Sequence, residues 1–188
     1  MLDTDCQMKE QHGKQGVSES SINLKITKKV QSLLEQSGCI VLLTRSDEKG
    51  IYSDDSNTIR QMKVSDMQKR VEIANTSEAD IFVSIHLNKI PQTKYWGWQT
   101  FFRKNDENSR KLANALQNGL NESIQKENKR QALKIENKYL VDNVKIPIAI
   151  VECGFLSNSE ETNQLNTEEY QTKLAWGIYI GIMNYFME

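Results

Sequence analysis

Apolar residues recur at Ile22, Ile26, Val30, Leu33 and Leu34, the spacing of an amphipathic helix over Ser20 to Ser37, and Gly38 follows where a left-handed cap ends such a helix. Cys39 to Thr44 (CIVLLT) is then a short continuous apolar run rich in branched residues, which predicts a strand buried on both faces. Residues 47–63 are polar and read as a surface loop, after which Val64, Met67, Val71 and Ala74 resume helical spacing. Asp80 to Leu87 (DIFVSIHL) predicts a second strand and Trp96 to Phe102 (WGWQTFF) another, followed by a helix through Leu112, Ala115, Leu116, Leu120 and Ile124. Ile146 to Cys153 (IPIAIVEC) is a further buried strand, with Pro147 at its start where a strand tolerates proline. Tyr170, Leu174, Ile178 and Ile182 mark a closing helix. Strands alternating with helices predict an α/β fold, a mostly parallel twisted sheet covered by helices on both faces, whose functional residues gather at the carboxyl ends of the strands.

That rule selects two residues. His86 ends one apolar strand (VSIHLN) and Glu152 ends another (IVECGFLSN), and both are costly to bury without a purpose. A lone histidine in such a place is ordinarily a hydrogen-bonded structural residue, and a glutamate there is ordinarily half exposed; two of them on neighbouring strand ends shift the balance toward a site. Glu19, in SESSINL at the start of the first helix, is by position alone a partner of the helix dipole.

Composition narrows the classes. The 188 residues suit one domain, and 24 basic against 25 acidic side chains leave no basic footprint for nucleic acid. Cys6, Cys39 and Cys153 are too scattered for a disulfide framework or a cysteine zinc site. No apolar run has the length of a membrane span, and the polar start MLDTDCQMKEQHGKQG has no apolar signal core.

Five segments, in order, resemble the zinc-dependent N-acetylmuramoyl-L-alanine amidases of bacterial cell-wall turnover. They are SESSINLKI, LLTRSD around Arg45, RVEIAN from Arg70 to Asn75, ADIFVSIHLN, and IPIAIVECGFLSNSEE. KYWGWQTFF, VECGFLSN and LAWGIYIGI are similar to the germination-specific branch in spore-forming bacteria. The resemblance implies one amidase catalytic domain over residues 1–188, with His86 and Glu19 as zinc ligands and Glu152 as the catalytic carboxylate. It also implies a peptidoglycan substrate, cleavage between muramic acid and L-alanine in spore cortex on the route to muramic lactam, and an extracytoplasmic place of action. A sporulation lipoprotein partner is conceivable on the same ground.

The family begins with a buried strand ending in a GHGG-like turn whose histidine is the remaining zinc ligand, and neither is found here. Leu2 to Cys6 resemble the residues just after that turn, so the sheet is expected to lack its first strand, and the sequence either to start at an internal methionine or to come from a truncated gene with an impaired product. A sheet so shortened is expected to expose strand edges and be unstable. The second histidine, His12, sits in polar MKEQHGKQG and reads first as a loop residue, with the alternative that it swings in as a makeshift third zinc ligand. Two rival readings stand beside the zinc enzyme: an inactive amidase-like module that binds peptidoglycan or a partner, and a cysteine hydrolase using Cys153 and His86. Trp96 and Trp98 are expected on one strand face, as core more than as a sugar platform. Lys126 to Arg130 (KENKR) reads as a solvated helix end, and Arg45 as a salt-bridging residue.

Overall fold

The computed structural model describes residues 1–4 and 18–187. Glu19–Gln36 forms α1, which buries Ile22, Ile26, Val30 and Leu34 along one stripe and stops before Gly38 at φ 83°. Ile59–Thr76 forms α2, opened by a capping box in which the Thr58 hydroxyl accepts from Gln61 N while the Gln61 side chain accepts from Thr58 N. Glu107–Ile124 forms α3, capped by Asp106 accepting from Ser109 N, and ends on Gln125 in the left-handed region. Tyr139–Asn143 (α4), Ser159–Leu165 (α5) and Glu168–Met187 (α6) complete the described helices. No described helix is long and apolar enough to cross a membrane.

Five strands form one sheet among the described residues: Leu2–Asp3 (β1), Phe82–Asn88 (β2), Gln99–Arg103 (β3), Leu133–Ile135 (β4) and Ile148–Phe155 (β5), in the order β1-β2-β5-β3-β4. The pairs β1–β2, β2–β5 and β3–β4 are parallel, and β3 runs antiparallel to β5. The α/β architecture is therefore as the alternating pattern predicts, with one strand reversed. Side chains alternate across the strands and divide two cores. Val83, Ile85, Leu87, Ala149, Val151 and Cys153 pack with α1, α3 and α6, whereas Phe82 and Ile148 pack with α2 and α4.

Two strand expectations need correction. Leu2 and Asp3 do not come after the first strand; they are in the sheet, paired with Val83 and Ser84. The CIVLLT segment is not a strand buried on both faces. Only Leu43 bridges to Leu2, and Ile40 is 92 % exposed, because the segment lies at the sheet edge beside a two-residue β1. The two tryptophans also part company. Both precede β3; Trp98 is fully buried and donates Nε1–H to Asn121 Oδ1 at 2.7 Å, whereas Trp96 is half-buried beneath Lys126.

The tightest packing lies between α3 and α6. A β-carbon on Gly119 would collide with the Gly177 carbonyl oxygen, and one on Gly181 would stand 2.5 Å from Leu116 Cα. Glycine is required there by backbone approach, and the contact draws α3 and α6 together on the face opposite α2 and α4.

Candidate active site

The register of the sheet assembles the site. His86 pairs with Glu152 across β2 and β5, and Glu152 pairs with Gln99 across β5 and β3. Paired residues point to the same face, so His86, Glu152 and Gln99 stand in one row across three strands. This row lies on the face shared with α2, beyond Phe82 and Ile148, where the apolar cover ends.

Glu19 reaches the row from the first turn of α1. It is 1 % exposed, its Oε1 accepts from Leu87 N at 3.2 Å and Asn23 Nδ2 at 3.3 Å, and the same oxygen lies 3.7 Å from His86 Nδ1. Its second oxygen, Oε2, is buried with no hydrogen-bond partner among the described residues. Leaving a carboxylate oxygen so placed is costly unless a cation or proton meets it.

The orientation of His86 is set by a chain of polar groups. Ser84 Oγ donates to Asp3 Oδ2 at 2.5 Å, and with its one proton so used it accepts from His86 Nε2–H at 2.9 Å. In the neutral ring the lone pair is then on Nδ1, the nitrogen turned toward Glu19. Asp3 itself accepts from Thr44 Oγ1 at 2.6 Å and forms a buried ion pair with Arg70, which also pairs with Asp66. Burial alone raises the Asp3 pKa, but Arg70 and the Ser84 and Thr44 hydroxyls outweigh it and hold the carboxyl below its ordinary range. The ring is thus braced through a charged network anchored in α2.

Glu152 has a different environment. Burial pushes its pKa up to about 7, with the Glu19 carboxylate adding to the rise and His86 and Lys138 opposing it. Its Oε2 likewise has no partner among the described residues. A buried carboxyl poised near neutrality, beside His86 in the sheet register, suits proton transfer.

The structure brings together three of the residues selected from sequence: Glu19, His86 and Glu152. His12 lies outside the described residues, as does Cys6. Among the described residues no group of three or more His, Cys, Asp or Glu side chains is arranged to hold a metal ion. Two donors do fit one: His86 Nδ1 lies 3.7 Å from the Glu19 carboxylate, whose second oxygen is unpartnered among the described residues, and nitrogen with carboxylate oxygen is a zinc donor set.

The cysteine reading fails on geometry. Cys153 comes after Glu152 on β5 and so points to the opposite face, where it is 0 % exposed in the apolar core and burial drives its thiol far above the ordinary range. Arg45 ties backbone segments together. It is buried and donates to the carbonyls of Thr4, Asp47 and Ser20, tying the start of α1 to the end of β1. The KENKR segment is not a helix end. It comes after the α3 cap and lies along the start of β3, with Asn128 Nδ2 donating to Trp98 O.

Sequence reasoning missed Ser84, Asp3, Gln99 and Arg130. Ser84 carried a readable signal, a hydroxyl two positions before His86 in an otherwise apolar run. The other three are joined to the site only by pairing register and tertiary contact.

The model of the N-acetylmuramoyl-L-alanine amidase family matches residues 8–184. The chain belongs to this family and is an enzyme of that class. The germination-specific N-acetylmuramoyl-L-alanine amidase of Bacillus subtilis is 35% identical over 170 residues, covering 90% of this chain and 71% of that protein. The CwlD amidase from Clostridioides difficile, solved in complex with the GerS lipoprotein, superposes with a TM-score of 0.93 at 40% identity, covering 99% of this chain and 98% of that one. An N-acetylmuramoyl-L-alanine amidase from Clostridium difficile 630 superposes with a TM-score of 0.81 at 26% identity, covering 100% of this chain and 96% of that one.

Proposed function

We propose that the chain, acting as one catalytic unit, uses zinc to hydrolyse the amide between the lactyl group of muramic acid and L-alanine. The observation that carries this reading is that the Glu19 carboxylate, with its Oε1 3.7 Å from His86 Nδ1 and its Oε2 unpartnered among the described residues, meets a row in which His86 pairs with Glu152. Glu19 and His86 would hold the ion, whose chemistry when bound is to polarise a carbonyl and acidify a water. Glu152, with its pKa raised to about 7, holds a proton on its carboxyl and delivers it to the departing amine. Ser84 and Asp3 keep the imidazole in the tautomer that presents Nδ1. The products are a lactyl carboxylate and a peptide with a free amino terminus.

Likeness to the B. subtilis germination-specific enzyme and to the C. difficile amidase crystallised with a lipoprotein supports spore cortex as the substrate. On this reading the enzyme acts outside the membrane, on the route to muramic lactam, and a sporulation lipoprotein is a fitting partner. Incubation of the zinc-loaded chain with purified cortex muropeptides tests it. New alanine amino termini should appear, vanish with a chelator and be absent in Glu152→Gln. The converse result, a full zinc complement with no amine released, sinks this reading in favour of a binding module.

A further inference from the structure

The row of His86, Glu152 and Gln99 does not end at Gln99. The Gln99 side chain donates from Nε2 to Gln131 O at 3.0 Å and accepts at Oε1 from Arg130 Nη1 at 3.0 Å, so it fastens the segment after α3 to the site's rim. Arg130 lies 5.0 Å from the Phe155 ring centroid and 5.9 Å from that of Tyr95, measured from Cζ, and these two rings neighbour each other at 6.2 Å. Its guanidinium is held by one edge of the fork. Nε and Nη2 have no hydrogen bond among the described residues, and this is the edge that takes a carboxylate through two parallel bonds.

The surroundings are cationic. Lys94, Lys129 and Arg130 outnumber the one carboxylate, Glu127, in lining a groove of about 530 Å³ with Tyr95, Trp96 and Asn128. Lys126 stands 4.0 Å over the Trp96 ring, and Lys129 is paired with the exposed Glu127. The buried carboxylate nearest Arg130 in effect is Glu161, but both its oxygens are engaged, by Gly97 N at 2.7 Å and Phe155 N at 2.8 Å.

Direction is set by the proposed reaction, on which this inference rests. The carbonyl under attack belongs at the Glu19 and His86 end of the row, and the departing amine faces Glu152. The peptide therefore leaves toward Gln99 and Arg130. Neighbouring strands are ~4.8 Å apart, so Gln99 lies ~10 Å from His86, and two extended residues beyond the cleaved bond span ~7 Å. A side chain on the second residue of the peptide comes within reach of the open guanidinium edge.

We propose that Arg130, positioned by Gln99 and flanked by Tyr95 and Phe155, reads a carboxylate on the second residue of the peptide that the enzyme releases. It is a specificity-determining residue: it lowers KM for acidic peptides and leaves the chemical step unchanged. Charge-assisted, two-point hydrogen bonding of this kind is worth about a tenfold to hundredfold preference over the uncharged amide.

The test compares alanyl-glutamate with alanyl-glutamine as ligands of the zinc-loaded chain by titration calorimetry, and the corresponding muramoyl dipeptides as substrates. The acidic dipeptide should bind about ten to a hundred times more tightly. Arg130→Ala, with an unchanged melting profile, should abolish that difference, and Arg130→Lys should restore part of it. In turnover, Arg130→Ala should raise KM for the acidic substrate alone, with kcat kept. Equal binding of the two dipeptides by the unaltered chain, or a preference that survives in Arg130→Ala, overturns the proposal. Binding preference without any hydrolysis supports the carboxylate subsite and overturns the catalytic reading instead.

Discussion

Glu19 Oε1 and His86 Nδ1 stand 3.7 Å apart, a carboxylate from the first turn of α1 facing an imidazole lone pair at the end of β2. Two acceptors at that distance repel unless something positive lies between them. The bracing of His86 by Ser84 is what keeps Nδ1, and not Nε2, on that side.

Replacing Ser84 tests this brace. Ser84→Ala removes the acceptor for Nε2–H and frees the ring to change tautomer and tilt. Zinc affinity, read by competition with a coloured chelator, should fall about 10–100-fold, the usual effect of losing such an outer partner. Melting temperature should fall as well, because the buried Asp3 Oδ2 loses the Ser84 hydroxyl as a donor. Undiminished affinity in Ser84→Ala would mean that the Asp3 network serves only the fold.

Glu152→Gln keeps the shape of the side chain and removes the transferable proton. Turnover should drop about 10²–10⁴-fold, with zinc content retained. A variant that still turns over at a tenth of the original rate would show that another group supplies the proton.

Thiol chemistry and metal chemistry predict opposite inhibitor responses. Because Cys153 is buried on the far face, alkylating reagents should leave activity intact and Cys153→Ala should retain it, whereas a chelator should stop it. The reverse pattern would reinstate the cysteine as nucleophile.

Stability in the metal-free state should depend on pH with a predictable sign. Glu161 is buried under Gly97 and Phe155, and burial raises its pKa to about 7 against an ordinary 4.5, with the two backbone N–H groups opposing the rise. Between those values the folded chain holds a proton that the unfolded chain has lost, so stability falls as pH rises through about 4.5 to 7 and then levels off. Glu152 acts in the same sense. Asp3 acts oppositely: its lowered pKa gives stability that is present above its ordinary value near 3.8 and is lost as pH drops below it. Melting temperatures from pH 4.5 to 8 in chelator should slope downward, and Glu161→Gln should flatten the slope. An upward slope would contradict this assignment.

The glycines between α3 and α6 give the largest mechanical prediction. Gly181→Ala places a β-carbon against the Leu116 backbone, which has no flexible end to move aside. The expected loss is about 1–3 kcal/mol, and each kcal/mol lowers Tm by about 2–4 °C for a chain of this size. An unchanged melt would mean that the helices separate at little cost.

Legibility differed sharply between parts of the molecule. β2 and β5 were readable because they are covered on both faces and so run almost continuously apolar, up to the polar residue at each rim. CIVLLT has the same composition yet lies at the edge, since nothing in a hydropathy pattern states how many residues its neighbour offers for pairing. β4 escaped notice because three residues with Leu133 exposed carry no periodic signal. Glu19, His86 and Glu152 were selected by their places at element ends and by family likeness. Gln99 and Arg130 were not, for a polar residue early in a strand and a basic one after a helix look like ordinary surface until register sets them beside Glu152.

The reversal of β3 has a consequence for how such a site can diversify. β2 and β5 bring His86 and Glu152, from their carboxyl-terminal halves, to the rim of the row, but β3, running the other way, brings its first residue, Gln99. The connection from β2 into β3, carrying Lys94, Tyr95 and Trp96, therefore begins and ends on that rim, while the row formed by His86 and Glu152 is fixed by the sheet. Gly97 and Trp98 are tied into the core. On the proposed reading the exposed part of the connection, residues 91–95, can be lengthened, shortened or recharged without shifting the row of His86 and Glu152, so the antiparallel strand separates the groups that cut from those that choose what is cut.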